Sequence, residues 1–235
     1  MKSIAIILMV IDHIGLFFLS NHEFLRLVGR GAAPIFFFLV GYSNSIKIGK
    51  NLIISATFLQ VLMIIFEIKY QLNILFTILF LRFLNKFIQN RFFKISLYSA
   101  ILIIIWCLVL LLPFSIIEYS SLAFLPYALG RMISSHNKKH LLGIYQKTCF
   151  IILIFTLSYW FGLTILGFSY MPYIMLFYLM LIFGLFIKMD FSPYPNKIKK
   201  YHLIIYNLGK YSLSIYYLHY AIFALIGKSF IHFIP

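Results

Sequence analysis

Apolar runs, each about as long as a bilayer is thick, follow one another along this chain with short polar breaks between them. Within a run the apolar residues are continuous rather than alternating, which excludes a β-barrel and predicts helices. A helix needs roughly 20 residues to cross a bilayer. On that measure the runs predict roughly nine spans, over 3–20, 30–46, 52–68, 72–89, 94–112, 117–133, 148–167, 172–188 and 211–232. The first run has a charged centre and no small-x-small cleavage site, so it is expected to stay as a span rather than be removed as a signal peptide. Between the last two runs, Pro193, Pro195, Lys197, Lys199 and Lys200 precede a short amphipathic piece, Tyr201–Leu208, read as a loop and an interfacial helix. The expected fold is all-α: a polytopic membrane bundle, with residues 1–235 as a single domain and no internal repeat of the transporter kind.

The polar residues that interrupt these runs carry the chemistry. Asp12 and His13 lie in the middle of the first run. Each costs roughly 2.5–3.5 kcal/mol to insert there, so the pair marks a candidate site. Lys2 precedes His13 by eleven positions. At about 100° and 1.5 Å per residue, that sets a cation on the same helix face, roughly 16 Å nearer the membrane surface. Such a helix suits a ligand with an anionic head at the surface and a reactive end inside. Asp12 points about 100° away from His13, so it is expected to pair with Arg26 or Arg30 rather than orient the imidazole.

Arg26 and Arg30 stand four apart and share a helix face. They either snorkel to the outer interface or pair with Asp12 and Glu23, or at least one of them lines a cavity beside Asp12 and His13. Gly29, Gly31, Ala32, Ala33, Pro34 and Gly41 favour close helix approach, with a break expected at Pro34. Late in the chain, Lys210, Ser214 and Tyr217 fall at spacings of four and three, and His219 follows. His219, like Ser212, Ser214 and Tyr216, is either a helix-to-helix hydrogen-bond partner or part of a site. Asn73, Thr77, Arg82 and Asn85 are candidate cavity residues, and Arg82 must face protein or water rather than lipid. Glu118 either binds an acceptor or ends a loop, and His22, His136, His140, His202 and His232 carry no assigned chemistry.

Composition narrows the picture. Of 235 residues, 63% are hydrophobic and only 11% charged, against about 25% charged in soluble domains. The formal charge of +15 sits mostly in alternate connections: Lys47 and Lys50; Lys86, Arg91 and Lys94; Arg131, Lys138, Lys139 and Lys147; Lys188, Lys197, Lys199 and Lys200. That asymmetry puts the N-terminus in the cytoplasm and, with an odd number of spans, the C-terminus outside. It orients the chain on lipid head groups and argues against nucleic-acid binding. Cys107 and Cys149 lie in apolar runs without metal-ligand spacing, so no metal is expected. Faces of small residues permit a homodimer.

Three stretches carry a resemblance to a known family. Met1–Gly15, with Lys2 and the Asp12-His13 pair, is similar to the opening of the TraX family, whose founding activity is acetylation of conjugative pilin. Arg26–Gly41 looks like its second signature of Gly-Arg, small residues and Pro-Ile-Phe, departing at Ala33 and in lacking an acidic residue after Gly41. Gly209–His219 is similar to a late Ser-x-x-x-Tyr-x-x-His segment of the acyltransferase-three branch of transmembrane acyltransferases, and Asn73–Thr77 is a weaker fourth match.

The resemblance implies acetyl transfer from cytoplasmic acetyl-CoA to a hydroxyl or amine at or across a bacterial inner membrane. The acceptor would be a pilin-like peptide, a sugar or a lipid head group. His13 would act as base or carry the acetyl group, with Asp12 and Arg30 beside it. Lys2, Arg26, Arg131, Lys210, Ser214, Tyr217 and His219 are the candidate acetyl-CoA contacts. Two rival classes remain: a transporter or flippase using Asp12, His13, Arg26, Arg30 and Arg82 as a proton or substrate path, and a non-catalytic scaffold subunit.

Overall fold

The computed structural model describes residues 1–19, 23–66, 71–87, 97–109, 119–135, 145–165, 172–188 and 206–231. Regular secondary structure among them is helical: α1 (Lys2–Phe17), α2 (Glu23–Gly29), α3 (Ala32–Ser43), α4 (Lys50–Ile65), α5 (Ile74–Phe87), α6 (Leu97–Val109), α7 (Phe124–Ser135), α8 (Tyr145–Ile165), α9 (Pro172–Lys188) and α10 (Ser212–Ile231). A 3₁₀ turn, Ser120–Ala123, leads into α7. The expectations for Glu118, the loop through Pro193 and Pro195, the side chain of Cys149, and His22, His136, His140, His202 and His232 lie outside the described residues.

Helix α3 is the hub. It packs on α1, α5 and α7, and its contact with α7 is the most extensive in the bundle. Two glycines explain that closeness. A Cβ at Gly41 would run into the Tyr127 carbonyl, and one at Gly130 would run into the Phe38 carbonyl, so both must stay bare for the backbones to meet. Phe37, Phe38, Tyr127 and Leu129 fill the space around the crossing and are fully or almost fully buried.

The break in the second run falls at Arg30 and Gly31, not at Pro34. Pro34 sits in the first turn of α3, where a backbone N–H is not needed for the helix ladder. The connection is tight, with the Arg30 N–H still reaching the Arg26 carbonyl at 3.0 Å. Helix α3 ends at Asn44, whose left-handed φ of 47° is one that asparagine tolerates.

Helices α4 and α5 are tied by buried amides. Asn73 Nδ2 donates to the Ala56 carbonyl at 2.9 Å, and Asn73 Oδ1 accepts from the Leu75 N–H at 3.0 Å, capping α5. Gln60 Oε1 accepts from the Asn73 N–H at 3.0 Å. Asn73 therefore closes a turn rather than lining a cavity. Asn85 likewise cross-links: its Nδ2 donates to the Ser45 carbonyl at 3.2 Å, and its Oδ1 accepts from Tyr127 Oη at 2.5 Å.

The outside of the bundle is apolar. Ile54 is 65% exposed, Ile65 61% and Phe177 65%, with Ile7, Phe161 and Leu225 alike. Water-facing surfaces rarely present such continuous apolar area, and this exterior fits a membrane protein. The α2–α3 stretch Glu23–Ser43, 21 residues whose most apolar 18-residue window has a mean hydropathy of 1.5, is long and apolar enough to cross a bilayer. Helices α8 and α10 have 21 and 20 residues, whereas Lys50–Ile65 is shorter. Helices α1 and α4 each have 16 residues and so reach about 24 Å.

Candidate functional site

The candidate site is built where α1 meets α2 on one side and α10 on the other. Asp12 and His13 are neighbours about 100° apart on a helix, so they face different partners. Asp12 faces α2. The approach depends on Gly29, where a Cβ would collide with the backbone and Cβ of Asp12. Arg26 Nη1 lies 2.9 Å from Asp12 Oδ2 and donates to the Asp12 carbonyl at 3.0 Å, gripping side chain and backbone together. Arg30 Nε stands 3.9 Å from the other carboxylate oxygen, Oδ1. Arg30 Nη1 also donates to Tyr119 Oη at 3.2 Å. Both arginines are buried. Tyr119 precedes the 3₁₀ turn with φ at 63°, a backbone region that costs a bulky residue energy and clusters at functional sites.

His13 faces α10. Its Nδ1 is 2.6 Å from His219 Nε2, and the two rings meet edge to edge, with centroids 4.9 Å apart and planes 21° from parallel. His219 Nδ1 is in turn 2.6 Å from the Ile215 carbonyl one helical turn earlier. Tyr220 presents its edge to His13 at 5.0 Å and 83°. Phe223 does the same to His219 at 5.5 Å and 85°. The imidazole pair is thus walled by aromatic rings from α10.

Two adjoining cavities serve this pair. The polar one, about 130 Å³, is lined by Asp12, His13, Arg26, Arg30, Tyr119 and Tyr220. The other, about 330 Å³, is mostly apolar and carries Lys2, Tyr42, Ser43, Arg82 and Ser212 among its lining. Met9, Phe36, Ile74 and Tyr216 line both and form the wall between them. The larger cavity is lined by the N-terminal ends of α4 and α10, Lys2 and Met9 of α1, the C-terminal half of α3 and α5 from Ile74 to Arg82. The polar chamber draws on the C-terminal half of α1 and the N-terminal end of α3.

The sequence-derived residues divide accordingly. Asp12, His13, Arg26 and Arg30 come together around the polar chamber, and His219 joins them through His13. Lys2 lies at the larger cavity. Arg82 lines it too, donating from Nη1 to the Lys47 carbonyl at 3.0 Å, with its Nε buried and without a hydrogen-bond partner. Ser214 and Tyr217 do not share this site. They line a separate groove with Asn51, Ile54, Ser55 and Phe58, because residues 214 and 217 lie on the face of α10 turned toward α4. Lys210 is exposed, its Nζ 5.2 Å from the ring of Tyr211. Arg131 is buried in α7 and lines neither cavity, and Thr77 is buried likewise.

Tyr220 and Tyr119 are the site residues that sequence reasoning passed over. The first had a signal: with Tyr216, His219 and Phe223 it forms a stripe at helical spacing. Tyr119 had none, since its place depends on an unusual backbone angle. Among the described residues no group of three His, Cys, Asp or Glu is placed to hold a metal ion.

Comparison with known proteins agrees with the reach of the motifs. A family model described as "TraX protein" matches residues 1–227. An uncharacterized protein, RP591, of Rickettsia prowazekii (strain Madrid E) is 32% identical over 161 residues, which are 66% of this chain and 61% of that protein. The chain thus spans about three-fifths of the length of the curated relative it matches. No solved structure matches the chain.

Proposed function

The chain belongs to the TraX family, and from that membership we propose that it is a membrane-embedded acetyltransferase that uses acetyl-CoA as donor and His13 as base. The observation that carries this reading is the pair of adjoining cavities, one with cations among an apolar lining, the other holding a buried imidazole. At about 330 Å³, the larger is at the lower end of the 300–1,000 Å³ or so typical of small-molecule sites. Lys2 and Arg82 give it positive charge suited to the phosphates of CoA. The apolar lining between them and Met9 suits a pantetheine arm running toward His13. Nine spans, a cytoplasmic N-terminus and placement in the inner membrane complete the reading, supported by the alternation of basic connections. Kinship with the acyltransferase-three enzymes belongs to the same proposal.

The chemistry balances on His13. An acceptor hydroxyl or amine gives its proton to the imidazole as its oxygen or nitrogen attacks the thioester carbonyl carbon. The tetrahedral intermediate collapses with cleavage of the carbon–sulfur bond. The proton then passes from the imidazole to the departing sulfur, leaving acetylated acceptor, CoA thiol and neutral histidine. Arg30 and Tyr216, both lining the chamber, are the residues proposed to steady the oxyanion.

The test is acetyl transfer by purified protein in nanodiscs from radiolabelled acetyl-CoA to a panel of a peptide amine, a hexose and phosphatidylethanolamine, with thiol release counted in parallel. His13→Ala is expected to abolish both signals while acetyl-CoA still binds. Turnover like that of the unaltered protein in His13→Ala, or substrate uptake into vesicles with no acyl donor present, would overturn the reading.

A further inference from the structure

The two histidines form a chain of hydrogen bonds whose direction can be read from its far end. The Ile215 carbonyl can only accept, so His219 Nδ1, 2.6 Å away, must carry a hydrogen. A neutral His219 then has its lone pair on Nε2. The only hydrogen bond that lone pair can make with His13 Nδ1, at 2.6 Å, is one that His13 donates. His13 therefore holds its proton on Nδ1, and Nε2 is its basic nitrogen. Free histidine in water prefers the opposite form, with the proton on Nε2.

We infer that His219 is a positioning residue that locks His13 into the tautomer with a basic Nε2, the chain Ile215 carbonyl–His219–His13 doing for the imidazole what a carboxylate does in a catalytic triad. The inference rests on the proposed role of His13 as base. Three features of the site support it. His13 lines the polar chamber whereas His219 does not, so His219 stands behind the reacting ring. The nearly coplanar, edge-to-edge geometry, 4.9 Å between centroids at 21°, puts each nitrogen in the plane of the other ring as the hydrogen bond requires, and Tyr220 and Phe223 pack at steep angles against the two rings. Asp12, the acidic neighbour in sequence, is engaged by Arg26 on the other side of α1, so the orienting group for His13 comes from α10.

The arrangement separates this role from donor binding. His219 lines neither cavity, so altering it should act on turnover rather than on affinity for acetyl-CoA. Losing a correctly oriented base costs on the order of 10²–10⁴-fold in rate. Glutamine at position 219 can still present a side-chain oxygen to the His13 Nδ1 hydrogen, whereas alanine cannot.

Nitrogen NMR of histidine-labelled full-length protein in nanodiscs reads the tautomer directly, with the His13 signals identified by their loss in His13→Asn. The expected result is a protonated Nδ1 and an unprotonated Nε2 on His13, with this preference lost in His219→Ala. In thiol-release assays, His219→Ala should lower kcat on the order of 10²-fold or more with KM for acetyl-CoA little changed, and His219→Gln should recover part of the loss. A proton on Nε2 of His13 in the unaltered protein, or an imidazolium at His219, would overturn the inference whatever the enzyme assays show. So would a His219→Ala protein with unchanged kcat. Should acetyl transfer fail altogether, the NMR result still decides the tautomer while the proposed function falls.

Discussion

Asp12 shows how one carboxylate can serve two guanidiniums in a setting with little water. Arg26 takes Oδ2 and the backbone carbonyl, and Arg30 comes within 3.9 Å of Oδ1 while reaching on to Tyr119. Removing the charge from a buried pair of this kind costs more than the pair itself contributes, because the partners stay buried. Asp12→Asn is therefore expected to lose on the order of 3 kcal/mol of stability, read as a clear drop in the thermal midpoint of detergent-solubilised protein. An unchanged midpoint would mean that the arginines are held by other groups. Helical phase alone separated Asp12 from His13 and paired it with the arginines. The partner of His13 was not legible, because His219 lies 206 residues further on and spacing within a helix says nothing about which distant helix docks.

Between helices, the bare backbones of Gly41 and Gly130 set how closely α3 and α7 cross. Gly41→Ala places a methyl group against the Tyr127 carbonyl, and overpacking of that sort costs about 1–3 kcal/mol. Gly184→Ala, with nothing near the added carbon, is the matching control and should be neutral or slightly stabilising. Equal midpoints for the two variants would show that α3 and α7 can part without loss. The small residues from Gly29 to Gly41 announced close packing, and Gly29 and Gly41 fulfil it. The inward face of α10 was harder to read. Lipid and protein interior are equally apolar, so a membrane helix lacks the polar stripe that reveals orientation in a water-soluble one. Both Lys210, Ser214, Tyr217 and Tyr216, His219, Tyr220 make plausible stripes, and only packing against α1 selects the second.

Across the bundle, charge and cavity run in one direction, from Lys2 and Arg82 past the Met9–Tyr216 wall to His13. If these cations receive the donor's phosphates, replacing both Lys2 and Arg82 by Ala should weaken acetyl-CoA binding, measured by calorimetry in nanodiscs, most strongly at low salt where screening is least. Affinity that does not change would move the head group elsewhere. The helical, apolar character of the bundle was plain from composition and run length. The cavities were not, because they form where ends of separate helices converge, which no single run encodes. The 16-residue lengths of α1 and α4 carry a mechanical corollary. If α1 and α4 span the membrane as proposed, hydrocarbon about 30 Å thick exceeds helices of about 24 Å, and local thinning is one way to close that gap. Activity or thermal midpoint measured across bilayers of graded tail length is then expected to peak in the thinner ones.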